Sequence, residues 1–110
     1  MNKVIVTGGA GFIGSNLVRR LIADGVDEVL IIDDFSTGKE ENLVDSPKIN
    51  LVKSKLEDIN NLNNMYEGYD FCFHLAAGVG VQYIMENLSD SLLTNIQGTH
   101  IVFEACKKNN

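Results

Sequence analysis

Three glycines that follow the first apolar segment constrain the fold of this chain more than any other feature. Gly8, Gly11 and Gly14 come after the apolar run 4–6 and open an amphipathic run over residues 12–23. This order predicts a strand, a tight turn and a helix. Glycines at this spacing permit a sharp turn, a close backbone approach to a phosphate, and tight packing of the helix on the sheet. The N-terminus of the helix then offers free N–H groups and a positive dipole end to the phosphates of a dinucleotide.

An acidic pair ends the next apolar segment. The run 28–32 is apolar after its first residue and leads into Asp33 and Asp34, with Asp33 about 20 residues beyond Gly14. An acid at this place accepts hydrogen bonds from the ribose hydroxyls of an adenine dinucleotide. Because a carboxylate also repels a 2′-phosphate and no Arg follows it directly, we expect NAD to be preferred over NADP. Solvation of a loop is the alternative role for such a pair.

Composition and charge narrow the class of protein. The chain has 110 residues, of which 45% are hydrophobic and 22% charged, so we expect one domain, a dinucleotide-binding domain over residues 1–110. A net charge of −6 argues against a nucleic-acid or membrane partner. The apolar runs are only as long as a strand, which is too short to span a bilayer. A predicted strand follows Met1 closely and leaves no room for a signal peptide, so we expect a cytoplasmic protein. Cys72 and Cys106 lack the spacing of a metal site, and we expect free thiols and no metal.

Strand and helix patterns alternate along the chain, which predicts an α/β fold with a parallel sheet. The predicted strands cover residues 3–7, 28–33, 49–53 and 69–75, and the predicted helices cover residues 11–23, 59–66 and 87–108, with one helical turn at 40–44. Asp58 is the expected N-cap of the second helix. Right-handed crossovers give a Rossmann-type, doubly wound sheet of order 3-2-1-4.

The fourth strand stands out because it is nearly all apolar, as a strand covered on both faces should be. The predicted order nevertheless places it at an edge of the sheet, where an apolar strand is an aggregation hazard. We therefore expect an incomplete fold, with strand five and everything after it absent from these residues.

Four motifs in this order resemble those of the extended short-chain dehydrogenase/reductase superfamily. They are Thr7-Gly8-x-x-Gly11-x-x-Gly14, residues 33–38, His74-Leu75-Ala76-Ala77 and residues 94–99. The resemblance covers essentially the whole chain and is closest to the NAD-dependent nucleotide-sugar epimerases, dehydratases and decarboxylases. It implies NAD as the cofactor, a nucleotide-sugar substrate for the intact enzyme, and a homodimer at full length.

The same resemblance implies a set of cofactor-binding residues. The pyrophosphate group comprises Gly8, Gly11, Phe12, Ile13 and Gly14; the adenosine ribose group comprises Asp33, Asp34, Phe35, Ser36 and Thr37; the residues beneath the cofactor are Leu75, Ala76, Ala77 and Gly78; and Thr94 reaches toward the nicotinamide. The chain departs from the family at the adenine, where an Asp followed by an apolar residue is replaced by Lys55 and Leu56. A Lys side chain cannot accept the adenine amino hydrogen bond, which leaves the Leu56 backbone, with Asp58 three residues from the expected place.

The family's catalytic motif, Tyr-x-x-x-Lys, is not found in these residues. Tyr66, Tyr69 and Tyr83 are each followed four positions later by a residue other than Lys. In the family the Tyr acts as acid and base, and the Lys lowers its pKa. We therefore nominate no catalytic residue and expect these residues alone to be inactive.

Three functions remain open at this point. The first is the cofactor half of a nucleotide-sugar epimerase, dehydratase or decarboxylase, and the second is a ketone reductase of the same superfamily. The third is a non-catalytic module that binds a dinucleotide or assembles through residues 71–75. A P-loop nucleotidase is excluded, because no Lys follows the glycines to neutralise a γ-phosphate.

Overall fold

A computed structural model of the chain describes residues 2–36, 38–60, 62–76, 99–102 and 104–107. Its strands are β1 (Lys3–Thr7), β2 (Glu28–Asp33), β3 (Ile49–Lys53) and β4 (Phe71–His74), and its α-helices are α1 (Phe12–Ala23) and α2 (Leu62–Met65). Two 3-10 turns cover Glu40–Asn42 and Leu56–Asp58. Residues 99–102 and 104–107 are also helical and are called the late helical segment below.

The four strands form one parallel sheet of order β3-β2-β1-β4, which confirms the predicted fold class and strand order. The first three strands have the predicted bounds. The strands β1 and β2 are easy to predict because they lie in the middle of the sheet and are buried on both faces, with Val4, Ile5 and Val6 at most 1% exposed. Thr7 pairs with Ile32 in register, so the carboxyl ends of β1 and β2 lie side by side.

Helix α1 packs on one face of the sheet. Its Val18 is fully buried in a cluster with valines and an isoleucine that alternate along β1 and β2. Gly11 is the N-cap, and the chain leaves the helix through Asp24 and Gly25, where Gly25 has a φ of 89°. A left-handed residue after the last turn is the usual end of a helix, and glycine adopts it without strain.

The opposite face of the sheet carries the second core cluster. Ile5, Leu30 and Ile32 point there and meet Tyr66 from the end of α2, together with Val102 and Ala105 of the late helical segment. The late helical segment therefore packs on the sheet, as the predicted helix 87–108 should. The part of that prediction before residue 99 lies outside the described residues. No helix in the described part of the chain is long and apolar enough to cross a membrane.

The predicted helix 59–66 is wrong in its extent. The chain forms the 3-10 turn Leu56–Asp58 first and the helix Leu62–Met65 afterwards. Asp58 is consequently not an N-cap, since it lies inside the 3-10 turn and donates its own N–H to the Lys55 carbonyl at 3.2 Å. Leu56 explains the difference, because its side chain is 7% exposed and anchors the turn in the core.

The prediction that both faces of the fourth strand are covered is also wrong. The strand is shorter than predicted, and Phe71 and Phe73 are 54% and 40% exposed, whereas the alternate residues Cys72 and His74 are half-buried. Phe71 and Phe73 lie on the same face of the sheet as α1, but the helix does not cover them. One face of β4 therefore contributes to the core, and the other presents an apolar row to solvent.

Candidate functional site

Gly8 brings the glycine turn into contact with the end of β4. Its φ is 74°, and its N–H donates to the Ile32 carbonyl at 2.7 Å. A Cβ at this position would lie 2.9 Å from both the Ala76 nitrogen and the Leu75 carbonyl carbon. Both the left-handed backbone and the close approach require glycine here.

The other two glycines differ in the space around them. A Cβ on Gly14 would lie 2.2 Å from the Gly8 carbonyl oxygen, so the first turn of α1 packs directly on the turn before it. A Cβ on Gly11 would have the same oxygen as its nearest neighbour, but at 3.5 Å, which is ordinary contact. Close packing within the chain explains why positions 8 and 14 require glycine, whereas the space beside Gly11 is open.

The first turn of α1 faces this open space with its backbone. The first N–H groups of a helix have no partner within the helix, and no side chain among the described residues caps them at Gly11. The side chains of Phe12 and Ile13 point outward and are 82% and 69% exposed. Unpaired N–H groups and the helix dipole together make this end of α1 attractive to an anion.

Asp33 lies beside the glycine turn, as the sequence predicted. Its carboxylate is buried and accepts two backbone hydrogen bonds, from the Ala10 N–H at 2.9 Å and from the Phe35 N–H at 2.8 Å. These bonds use different oxygens, and a carboxylate oxygen has two acceptor positions. Each oxygen of Asp33 therefore keeps one position available for a further donor.

The chain after Asp33 is held in an uncommon conformation. Phe35 has a φ of 62°, a left-handed value that is rare for a residue with a bulky side chain. The bond from Phe35 N–H to Asp33 fixes the turn, and the Lys53 ammonium lies 5.2 Å from the centre of the Phe35 ring. Asp34 accepts the Ser36 N–H at 2.9 Å. These contacts shape the loop that borders Asp33.

Two residues that sequence reasoning missed attach this loop to the glycine turn. Asn42 donates from its side-chain amide to the Ala10 carbonyl at 3.0 Å, and Lys39 donates to the same oxygen from its backbone at 3.1 Å. Gly38 passes so close that a Cβ there would lie 2.8 Å from the Ala10 carbonyl carbon. Gly38 belongs to the motif of residues 33–38 noted in the sequence, whereas nothing in the sequence indicated the contact of Asn42 with a residue 32 positions earlier.

A second missed feature lies at the carboxyl ends of β1 and β4. The imidazole of His74 bridges two hydroxyl groups, with Nδ1 2.7 Å from Thr7 Oγ1 and Nε2 3.2 Å from Thr99 Oγ1. Thr7 Oγ1 also accepts the N–H groups of Leu75 at 3.0 Å and Ala76 at 3.2 Å. The sequence indicates only a polar strand-end residue at His74, and burial lowers its pKa below the usual range.

Some predicted site residues are not placed with the others. Thr37, Ala77, Gly78 and Thr94 lie outside the described residues. Leu56 is described, and its side chain is buried in the core while its carbonyl accepts the Ile59 N–H at 3.3 Å. Lys55, which stands where the family carries an Asp, has an exposed side chain.

A cavity of about 250 Å³ lies at the other end of β4, away from the glycine turn. Tyr66, Tyr69 and Cys72 line it, and the Cys72 thiol lies 3.5 Å from the Tyr66 hydroxyl. Burial raises the pKa of Cys72 to about 11, which keeps this thiol protonated at neutral pH. Cys72 and Cys106 are both free thiols. The lining of the cavity is mainly apolar.

The sheet order, the glycine turn and the buried acid at the end of β2 define a Rossmann-type α/β fold. Within this class the chain belongs to the NAD-dependent epimerase/dehydratase family, whose family model matches residues 4–110.

Individual proteins of the family show clear similarity. The UDP-N-acetyl-alpha-D-glucosaminuronate decarboxylase of Bacillus cytotoxicus is 35% identical over 107 residues, covering 96% of this chain and 33% of the decarboxylase. A UDP-N-acetylglucosamine 4-epimerase from Methanobrevibacter ruminantium M1, solved with UDP-N-acetylmuramic acid, has a TM-score of 0.89 and 39% identity over 99% of this chain and 35% of its own. The Bordetella bronchiseptica enzyme WbmF, solved with NAD+, has a TM-score of 0.91 and 32% identity over 99% and 33%. The chain thus spans about a third of the length of these relatives.

Proposed function

We propose that this chain supplies the NAD-binding part of a nucleotide-sugar epimerase, dehydratase or decarboxylase. The observation that carries the proposal is the position of Asp33, whose carboxylate is hydrogen-bonded to Ala10 inside the glycine turn. This bond fixes the acid proposed to bind the ribose next to the turn proposed to bind the pyrophosphate, so that the two parts of the dinucleotide site are connected directly. The solved relatives include WbmF in complex with NAD+, which supports the choice of cofactor.

The described residues fit an adenine dinucleotide at two places. The open space beside Gly11 and the uncapped N–H groups of α1 suit the pyrophosphate, since both a close approach and anion-binding donors are present. The remaining acceptor position on each oxygen of Asp33 suits the two hydroxyls of the adenosine ribose. A 2′-phosphate would meet the same carboxylate, and like charges at contact repel each other, so NAD is the expected cofactor.

The remaining predicted residues keep their roles as part of this proposal. Gly8 and Gly14 shape the turn, Asp34, Phe35 and Ser36 border the ribose, and the backbone of Leu56 faces the adenine. Leu75 and Ala76 lie beneath the cofactor at the end of β4. For Ala77, Gly78, Thr37 and Thr94, which lie outside the described residues, we keep the roles that the family resemblance implies.

The bound cofactor would supply reversible hydride acceptance at a sugar hydroxyl carbon. The residues of this chain bind and orient the cofactor, and we propose that they do not turn over substrate by themselves. Tyr66 and Tyr69 support this view, because both lie at the cavity end of β4 and burial raises the pKa of each phenol. A phenol held neutral and distant from the glycine turn is not placed to exchange a proton with a substrate there.

The substrate and the assembly of the whole protein are proposals of wider scope. A nucleotide-sugar substrate is supported by the names of the relatives, which include a decarboxylase and an epimerase of UDP-sugars. We also propose a homodimer at full length, as the resemblance implies, and a cytoplasmic location, as the composition led us to expect. Reduction of a ketone by the same superfamily stays an alternative for the intact enzyme.

A second candidate function has one specific observation in its favour. The exposed Phe71 and Phe73 lie on an edge strand, which could make the chain a dinucleotide-binding module that assembles with a partner. Under this alternative, NAD binding and assembly occur without any catalytic step.

Calorimetric titration of the chain with NAD and NADP tests the proposal. We expect NAD to bind more tightly than NADP, and Asp33→Asn to weaken NAD binding about tenfold, since a charged acceptor is lost. The ratio of the NADP dissociation constant to the NAD dissociation constant should become smaller in the same variant. Asp45→Asn makes the same charge change at an exposed position before β3 and should leave both affinities unchanged. Equal effects of the two variants, or no NAD binding by the wild-type chain, would contradict the proposal.

A further inference from the structure

The hydroxyl of Thr7 makes hydrogen bonds to three residues at the end of β4: His74, Leu75 and Ala76. Thr7 is fully buried at the end of β1, and its Oγ1 accepts the N–H groups of Leu75 and Ala76. The Leu75 N–H also reaches the Thr7 carbonyl oxygen at 3.0 Å. The first two residues after β4 are therefore held on Thr7 through both its backbone and its side chain.

A count of donors and acceptors assigns the proton in this network. A hydroxyl has one proton to donate and two acceptor positions. Since both acceptor positions of Thr7 are taken by backbone N–H groups, its proton is directed to His74 Nδ1, at 2.7 Å. Nδ1 must then be unprotonated, and the neutral ring carries its proton on Nε2, from which it donates to Thr99 Oγ1 at 3.2 Å.

We propose that Thr7, His74 and Thr99 form a positioning relay for the proposed cofactor site, with His74 neutral and protonated on Nε2. The relay links β1, the end of β4 and the late helical segment, and it holds the peptide backbone of Leu75 and Ala76 in place. That backbone lies against Gly8, where a Cβ would come within 2.9 Å of the Ala76 nitrogen. The functional part of this proposal rests on the NAD site proposed above, whereas the tautomer and the contacts do not.

Among the described residues, the elements packed against His74 present it with hydroxyl groups and no charge. Thr7 comes from β1 and Thr99 from the late helical segment. The charged residues Lys3 and Asp70 lie at the opposite ends of β1 and β4, where they bond each other through the Lys3 N–H. The side chains of His100, Glu104 and Lys107 on the late helical segment are exposed. The half-buried thiol of Cys106 on the same segment lines the cavity at the other end of β4.

Protonation of His74 is incompatible with the network as it stands. A proton on Nδ1 would need an acceptor, but both acceptor positions of Thr7 Oγ1 are occupied. The hydroxyl would have to release the N–H of Leu75 or of Ala76, and its own proton would lose its partner. The relay therefore predicts that the backbone after β4 loosens when His74 takes up a proton.

The tautomer can be measured directly in the unliganded chain. Long-range proton–nitrogen NMR spectra of the imidazole distinguish a proton on Nδ1 from one on Nε2. We expect His74 to be in the Nε2–H form at pH 7.5, and His100, which is exposed, to serve as the reference ring in the same spectrum. A His74 ring protonated on Nδ1 would overturn the assignment.

Paired variants test the effect on the cofactor site. Thr7→Val removes the bonds of Thr7 Oγ1 to His74, Leu75 and Ala76 and leaves the bond between His74 and Thr99. We expect about a tenfold loss of NAD affinity, the size expected for one buried hydrogen bond. Thr7→Ser keeps the hydroxyl and should retain affinity within about twofold of wild type. Urea unfolding establishes that each variant is folded at the titration temperature. A folded Thr7→Val chain that binds NAD like wild type would overturn the positioning role.

Thr99→Val provides the second test if Thr7→Val does not fold. It removes the acceptor of the His74 Nε2–H while Thr7 still keeps Nδ1 unprotonated, so we expect the Nε2 proton to exchange with water faster than in wild type, and Thr99→Ser should restore the wild-type rate. An Nε2 proton that exchanges equally fast in Thr99→Val and Thr99→Ser would count against the relay. If the wild-type chain does not bind NAD at all, the proposed function fails. Faster amide hydrogen exchange of Ala76 in Thr99→Val than in Thr99→Ser then supports the relay as a structural link, and equal rates overturn it.

Discussion

At position 14 a methyl group has no room, whereas at position 11 it has. A Cβ on Gly14 would overlap the Gly8 carbonyl oxygen at 2.2 Å, and that oxygen belongs to backbone that cannot rotate away. We predict that Gly14→Ala lowers the free energy of unfolding by roughly 1–3 kcal/mol, as overpacking of a rigid site does. Urea denaturation of the two chains measures this difference.

Gly11→Ala is the matched control and should behave differently. Its Cβ has ordinary contact with the chain at 3.5 Å, so we predict a loss of stability below about 1 kcal/mol. The methyl group would nevertheless occupy the space proposed for the pyrophosphate, and NAD affinity should fall about tenfold or more. Unchanged affinity in a stable Gly11→Ala chain would place the phosphates elsewhere.

His74 makes stability depend on pH. Its pKa in the folded chain is lowered from the ordinary 6.5 by burial, so the unfolded chain binds more protons near that pH. Stability from this residue is therefore fully present above pH 6.5 and is lost as the pH falls toward the folded pKa. We predict a lower free energy of unfolding at pH 5.5 than at pH 7.5, measured by urea denaturation, and a smaller difference in His74→Asn. Equal pH dependence in both chains would show that His74 is not responsible.

Single residues differ in how well the sequence revealed them. The positions of the glycines were predictable because local spacing along a strand, turn and helix brings them together. That of Asp33 was predictable because consecutive parallel strands end side by side. The contacts of Thr7 with His74, and of Asn42 with Ala10, were not predictable in the same way. They depend on which strands become neighbours and in what register, since the partners are 67 and 32 residues apart.

At the scale of elements, the buried strands were the easiest to predict. Continuous apolar runs bounded by turn residues gave the bounds of β1 and β2, and an alternation of apolar and polar residues gave those of β3. The segment 56–66 was misassigned because helical spacing of its apolar residues does not reveal that Leu56 is drawn into the core by a 3-10 turn. Asn residues, which are weak helix formers, occupy much of the stretch between that turn and Met65.

Strand β4 carries the prediction that belongs to this scale. Phe71 is 54% exposed on an edge strand, and an apolar edge favours association between copies. We predict that Phe71→Lys shifts the chain toward the monomer in sedimentation velocity experiments without loss of folding. Phe71→Leu, which keeps the apolar surface, is the control and should associate like wild type. A wild-type chain that is monomeric at every concentration would contradict this role for the edge.

At the scale of the whole molecule, the two ends of the sheet have different properties. The carboxyl ends of β1, β2 and β4 carry the glycine turn, Asp33 and the His74 network, all of them polar and ordered by hydrogen bonds. The opposite end carries the apolar cavity near Tyr66 and Cys72, with a protonated thiol. In open α/β sheets, ligands bind outside the carboxyl ends of the strands, which favours the first end over the cavity.

Mapping of NAD onto the backbone distinguishes these two ends most directly. Proton–nitrogen correlation spectra of the labelled chain, recorded during addition of NAD, report each amide separately. We predict that the largest shifts fall on residues 8–14, 33–36 and 75–76, and that they become smaller in Asp33→Asn at the same NAD concentration. Shifts centred on residues 66–72 around the cavity, or no shifts at all, would contradict the assignment of this chain as an NAD-binding domain.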